Sequence, residues 1–142
     1  MNNLEKYLSI LNDQVDGLLL TSRYSRHYGA EFDIAEGMAV VSKKGCRYFT
    51  DSRYIESATN NIRNFQVIMT DADRNYAMLI NQAIADFGIH TLGYEEEYMT
   101  AGACGWFQEK LNAKMVPYNE KIRSFRDVKE AWELDRLRKA QQ

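Results

Sequence analysis

The chain has 142 residues, 45% hydrophobic and 27% charged, enough for one domain with a core of its own. Eighteen basic and twenty acidic side chains leave a net charge of −2 with no long block of either sign, which argues against a nucleic-acid partner, since phosphate binding needs a basic surface. The apolar runs, such as Leu18-Leu19-Leu20 and Met38-Ala39-Val40-Val41, fall far short of the roughly 20 residues that span a bilayer.

Met1-Asn2-Asn3-Leu4-Glu5-Lys6 lacks a basic segment followed by an apolar one, so no secretion signal is read and a cytoplasmic protein is expected. Leu4, Tyr7, Leu8 and Leu11 recur on one helical face until Asn12-Asp13 breaks the pattern. Gly17 to Thr21 then reads as a buried strand, and Ser22 to Glu36 as a long polar connection. Within it, Arg26 to Gly37 mixes aromatics, acids and glycines and could close over a ligand. The structural alternative has Tyr28 and Phe32 anchoring the connection on the core.

Gly37–Ser42 and Cys46–Thr50 read as two strands of a hairpin joined by Lys43-Lys44-Gly45, with Gly45 free to take a positive φ. Tyr48-Phe49-Thr50-Asp51-Ser52-Arg53-Tyr54 follows, placing an acid, an arginine and a tyrosine where a strand hands over to a helix. Asp51 or Ser52 could cap that helix, and loops at such junctions often carry binding groups.

Phe65–Thr70 is a further predicted strand. The helix after it presents Tyr76, Ile80, Ala83, Ile84 and Phe87 on one face, with Asp73 as N-cap and Gly88 as its stop. Thr91–Tyr94 is short enough for a strand, Thr100 could cap a helix presenting Ala103, Phe107 and Leu111, and Lys114–Tyr118 completes the alternation. Such alternation predicts an α/β domain with helices flanking a sheet that the hairpin makes mixed. Asp127-Val128-Lys129-Glu130 resembles a capping box opening a helix with Trp132, Leu134, Leu137 and Ala140. That helix reaches Gln142 without a stop signal, so residues 127–142 are expected to be a linker helix between a domain at 1–126 and a following one.

The inventory for chemistry is thin. His27 and His90 have no histidine or cysteine at a chelating spacing, and Cys46 and Cys104, far apart, read as reduced buried thiols. Glu95-Glu96-Glu97 reads as a solvated loop, because three consecutive side chains diverge. Ser22, Ser25 and Ser52 lack a nucleophile elbow, and no phosphate-binding glycine loop follows a strand.

The order of features resembles the N-terminal domain of the creatinase/prolidase family, the pita-bread metallopeptidases, over nearly the whole chain. The similarity rests on Asp16-Gly17-Leu18-Leu19-Leu20, on His27-Tyr28-Gly29-Ala30-Glu31-Phe32 against an arginine-tyrosine segment ending in Thr-Gly-Phe, and on Asp51-Ser52-Arg53-Tyr54 against Asp-Gly-Arg-Tyr. Leu92-Gly93-Tyr94-Glu95 and the stretch from Ile122-Arg123 through Arg138-Lys139-Ala140 extend it. Glu31 and Ser52 depart from it, each standing where glycine is usual.

The resemblance implies a mixed sheet with a ribonuclease H-like motif. It also implies that the intact protein is a metal-dependent Xaa-Pro dipeptidase or aminopeptidase. Its two divalent ions (manganese, cobalt or zinc) would be held by a following catalytic domain absent from this chain, which alone would be inactive. The domain would then assist homodimerisation, contact its own catalytic domain and wall a pocket for a proline-containing dipeptide or peptide. Phe32 is the implied apolar contact of that wall, Asp33 its charge filter and Arg53 an anchor for the loop. Two alternatives stay open: a stand-alone or pseudo-enzyme peptide-binding module, and a creatinase-like C–N hydrolase.

Overall fold

The computed structural model describes residues 2–125; the expected helix from Asp127 and the boundary at 126/127 lie outside the described residues. Helix α1 (Asn3–Ser9) starts where the Asn2 side chain accepts the Glu5 N–H. Strand β1 (Gly17–Leu20) leads into α2 (Arg23–Ala30), and β2 (Met38–Ser42) turns back through Lys43-Lys44 into β3 (Gly45–Thr50). Then follow α3 (Ile55–Asn61), β4 (Gln66–Met69), α4 (Tyr76–Phe87), β5 (Thr91–Tyr94), a 3-10 turn (Glu96–Tyr98), α5 (Ala101–Lys110) and β6 (Lys114–Pro117). Residues 119–125 are helical.

The strands form one six-stranded sheet in the order β4-β3-β2-β1-β5-β6. β2 is antiparallel to both neighbours and every other pair is parallel, so β2 alone runs against the rest. The mixed sheet is the one the hairpin predicts.

Both faces of the sheet are covered, and strand alternation sorts the core. Leu18, Leu20, Ala39, Val41 and Tyr48 pack with Leu4, Tyr7, Tyr28, Ala58 and Ile122 on the α1, α2 and α3 side. Leu19, Val40, Phe49, Leu92 and Met115 pack with Ile80, Ala83, Ile84 and Phe107 of α4 and α5 on the other. Cys46 and Cys104 are free and half-buried.

Several local expectations change. α2 replaces most of the expected polar connection: Ser22 caps it by accepting the Ser25 N–H, and its buried face is made of Ser25, Arg26, Tyr28, Gly29 and Ala30, a set of polar and small residues with no large aliphatic side chain. Gly45 lies in β3, not at a positive φ; a Cβ there would collide with the Phe87 ring, so close approach is what demands glycine. Asn75, not Asp73, caps α4 by accepting the Met78 N–H. Gly88 ends α4 with φ 64°, as expected, and Thr100 caps α5.

Candidate functional site

Because β2 alone is reversed, the carboxyl ends of β1, β3, β4 and β5 open on one edge of the sheet, together with the chain entering β2. In open α/β sheets this edge is where ligands bind. α2, the 31–37 segment, the Asp51–Tyr54 turn and Glu95 all gather there, since each directly follows one of those strands or precedes β2.

Glu95 is the foundation of this edge. Far from being solvated, it is 1% exposed. Its carboxylate accepts the Thr21 and Ser22 N–H groups at 2.9 and 3.1 Å, and the Ser22 and Ser25 hydroxyls both at 2.6 Å. It therefore sits at the N-terminus of α2, where backbone N–H groups lack helical partners and the helix dipole favours an anion. Glu96, though exposed, similarly accepts the Tyr118 and Asn119 N–H groups, and Glu97 is exposed with its carboxylate 3.7 Å from Arg123.

The segment after α2 is held carbonyl by carbonyl. Asn3 Nδ2 donates to Tyr28 O and Asn64 Nδ2 to Gly29 O, both at the end of the helix. Arg26 Nη1 donates to Ile34 O at 2.9 Å and Nη2 to Ala35 O at 3.4 Å, while Thr50 Oγ1 donates to Glu36 O at 2.7 Å. Glu31 takes the left-handed conformation (φ 57°), so the backbone keeps the geometry expected of glycine despite the substitution. A segment fastened in this way is a fixed feature of the edge, not a lid.

Phe32 packs partly buried against the α2-side core. Asp33 is clamped by Arg23, whose Nε and Nη2 donate to its two oxygens at 2.7 and 2.8 Å. That hydrogen-bonded guanidinium holds the Asp33 carboxyl below the ordinary carboxylate value. Arg53 pairs with Asp51 at 2.7 Å and lies 5.1 Å from the Tyr54 ring centroid, both within its own turn. The Asp51 side chain accepts the Arg53 N–H and caps nothing; α3 begins after Tyr54 without a side-chain cap. Sequence reasoning gave Arg53 the role of anchoring the loop; in the structure the carbonyls of residues 34–36 accept from Arg26 and Thr50, and the Asp33 side chain accepts from Arg23.

Two phenols complete the edge. Tyr48 accepts from Arg26 Nη1 at 2.7 Å, and burial pushes its pKa up against the pull of that cation. Burial also pushes Tyr76 up to about 12, with the Glu36 and Asp51 charges adding to it. Sequence reasoning missed Arg26, Tyr48, Tyr76 and Glu95 as parts of one site. A signal for Glu95 was the Ser-x-x-Ser spacing of Ser22 and Ser25 after β1, usable only once β1 and β5 are known to be neighbours.

The edge offers fixed shape, neutral phenols and internally paired charges. Among the described residues, no group of three His, Cys, Asp or Glu side chains could hold a metal ion. None of the described helices is long and apolar enough to cross a membrane.

A family model described as the creatinase/prolidase N-terminal domain matches residues 4–128. An uncharacterized peptidase, YqhT, from Bacillus subtilis (strain 168) is 29% identical over 127 residues, which is 89% of this chain and 35% of that protein. The solved Xaa-Pro dipeptidase from Bacillus anthracis superposes with a TM-score of 0.79 at 25% identity over 87% of this chain and 34% of that one. The X-Pro aminopeptidase from Thermotoga maritima MSB8 gives a TM-score of 0.78 at 20% identity over 89% of this chain and 36% of that one. The chain thus spans about a third of the length of these relatives.

Proposed function

The chain belongs to the creatinase/prolidase N-terminal domain family, and on that premise we propose that it is the non-catalytic N-terminal part of a proline-specific metallopeptidase, an Xaa-Pro dipeptidase or aminopeptidase. In this reading the sheet edge carrying Phe32 and Asp33 forms a wall of the substrate pocket, and the domain assists assembly of a homodimer. The observation that carries the reading is the clasped 28–36 segment, whose carbonyls are taken by Asn3, Asn64, Arg26 and Thr50. Rigid presentation of this kind suits a surface against which a small peptide is positioned.

The described residues do not fit the two divalent ions such a peptidase uses. No step of bond cleavage is assigned to this chain, and its contribution is to bind, orient and exclude. The relatives named as an Xaa-Pro dipeptidase and an X-Pro aminopeptidase, of which this chain covers 34% and 36%, support a catalytic partner domain.

The test reads the native coding sequence past Gln142 and assays both lengths on an Xaa-Pro dipeptide with added manganese. Turnover confined to a longer form is the expected result. Metal-dependent turnover by the 142 residues themselves overturns the reading, and a frame ending here with measurable peptide binding replaces it with a stand-alone binding module.

A further inference from the structure

Arg26 is 4% exposed, yet none of the groups that accept its hydrogen bonds is a carboxylate. Its guanidinium donates to Thr21 O (3.3 Å), Ile34 O (2.9 Å), Ala35 O (3.4 Å) and the Tyr48 hydroxyl (2.7 Å). Burying a cation carries a desolvation penalty, and an apolar side chain of similar volume would avoid it. What the guanidinium does that an apolar group cannot is bind four oxygens on three separate stretches of chain with one planar fork.

Those stretches are the end of β1, the sheet at β3 and two successive residues of the 31–37 segment. The neighbourhood is closed tightly around it. A Cβ at Gly37 would lie 2.7 Å from Phe49 O, 2.8 Å from the Tyr48 ring and 3.3 Å from Arg26 Nη1. The chain entering β2 therefore runs directly against the guanidinium and its phenol brace.

We propose that Arg26 is a positioning residue: braced on the Tyr48 hydroxyl, its buried guanidinium fixes residues 31–36 on the sheet edge and thereby sets where Phe32 and Asp33 meet a bound peptide. The second half of this statement rests on the pocket wall assigned under Proposed function, and the first half stands on the hydrogen bonds alone. Lysine at this position keeps the charge but has no fork to hold Ile34 O, Ala35 O and Tyr48 together. Phenylalanine at 48 keeps the ring and removes only the acceptor.

The experiment compares wild type with Arg26→Lys, Arg26→Met and Tyr48→Phe. Backbone 15N order parameters of the 142-residue chain are read for residues 32–36 and, as an internal control, for α4. The expected result is a fall at 32–36 from about 0.85 towards about 0.6 in both Arg26 variants, with a smaller fall in Tyr48→Phe and α4 unmoved. If Arg26→Met does not fold by circular dichroism, Arg26→Lys and Tyr48→Phe carry the comparison. Order parameters at 32–36 unchanged in the folded variants overturn the proposal.

In the longer protein, the same variants are expected to raise KM for an Xaa-Pro dipeptide about tenfold, equivalent to about 1.4 kcal/mol of binding, with kcat within about twofold. A loosened segment with KM unmoved overturns the pocket-wall reading and Arg26's part in substrate placement, while its hold on the segment stands. A proportional loss of kcat and kcat/KM instead overturns the positioning role.

Discussion

Replacing Glu95 should cost this domain more stability than any other single carboxylate in the Glu95-Glu96-Glu97 run. Its carboxylate accepts two backbone N–H groups and two hydroxyls in a site that is 1% exposed. In Glu95→Ala the hydroxyls can fall back on each other and on Ser22 O, contacts that already exist at 3.0 and 3.2 Å. The Thr21 and Ser22 N–H groups have no such recourse, and each buried donor left unpaired costs about 1–3 kcal/mol. With the lost packing of the side chain, about 3–5 kcal/mol is expected, a large part of the roughly 5–15 kcal/mol that holds a domain together. Glu95→Gln keeps one carbonyl oxygen for the N–H groups and can donate its amide to a reoriented Ser22 hydroxyl, so about 1–2 kcal/mol is expected. In urea, with a slope of about 2 kcal/mol/M, the midpoint should fall by about 2 M for alanine and by about 0.5–1 M for glutamine. Glu97→Ala, at the exposed end of the run, should move it by less than about 0.3 M. Equal shifts for Glu95→Ala and Glu97→Ala would refute the buried-cap argument.

Glu31→Gly should be neutral or stabilising by up to about 1 kcal/mol, because the left-handed backbone at φ 57° strains any residue with a Cβ and glycine is free of that strain; a loss above about 1 kcal/mol in thermal melts would contradict this. Gly37→Ala should destabilise by about 1–3 kcal/mol or more, since its Cβ would stand 2.7 Å from Phe49 O, and a melting temperature equal to wild type would show that the approach is not tight. Asp33, Asp51 and Asp86 are each held below their ordinary pKa of 3.8 by hydrogen bonds from Arg23, Arg53 and Arg47. Depressed folded-state values mean that the unfolded chain binds protons first, so their contribution is full above about pH 3.8 and is lost as pH falls below it. Melting temperatures followed from about pH 6 to about pH 2 should drop through that window, with a smaller drop in high salt, and a flat profile would count against all three pairs.

Most of the scaffold was legible because strand alternation and cap residues are local. Leu18-Leu19-Leu20 and Ala39-Val40-Val41 are buried on both faces, so they read as strands without their partners being known, and Gly88 and Thr100 announce helix ends by their own conformational chemistry. α2 was not legible for the opposite reason. Its buried face lacks large aliphatic side chains, and two of its members, Ser25 and Arg26, are polar groups satisfied by Glu95, Tyr48 and loop carbonyls. Glu95 was hidden in the same way: its acceptors' donors lie 70 to 74 residues away, and only the β1–β5 pairing brings them together. Asx turns account for the missed caps: Asp51 spends an oxygen on the Arg53 N–H, and Asp73, the expected cap of α4, lies inside a turn in which Asp71 accepts the Asp73 and Arg74 N–H groups.

Under the pocket-wall proposal, the pairing of charges decides how the sheet edge would act on a substrate. Had Asp33 stood alone, its field would reach a peptide ammonium several ångströms away; clamped by both arms of Arg23, it presents a dipole whose field falls off faster. Asp51 and Arg53 repeat the arrangement one strand over. A ligand charge would then gain little from either pair at a distance and would have to touch one of them to be distinguished. Discrimination at this edge therefore depends on contact geometry. Contact geometry is what the buried hydrogen bonds of Glu95, Arg26 and Thr50 hold in place.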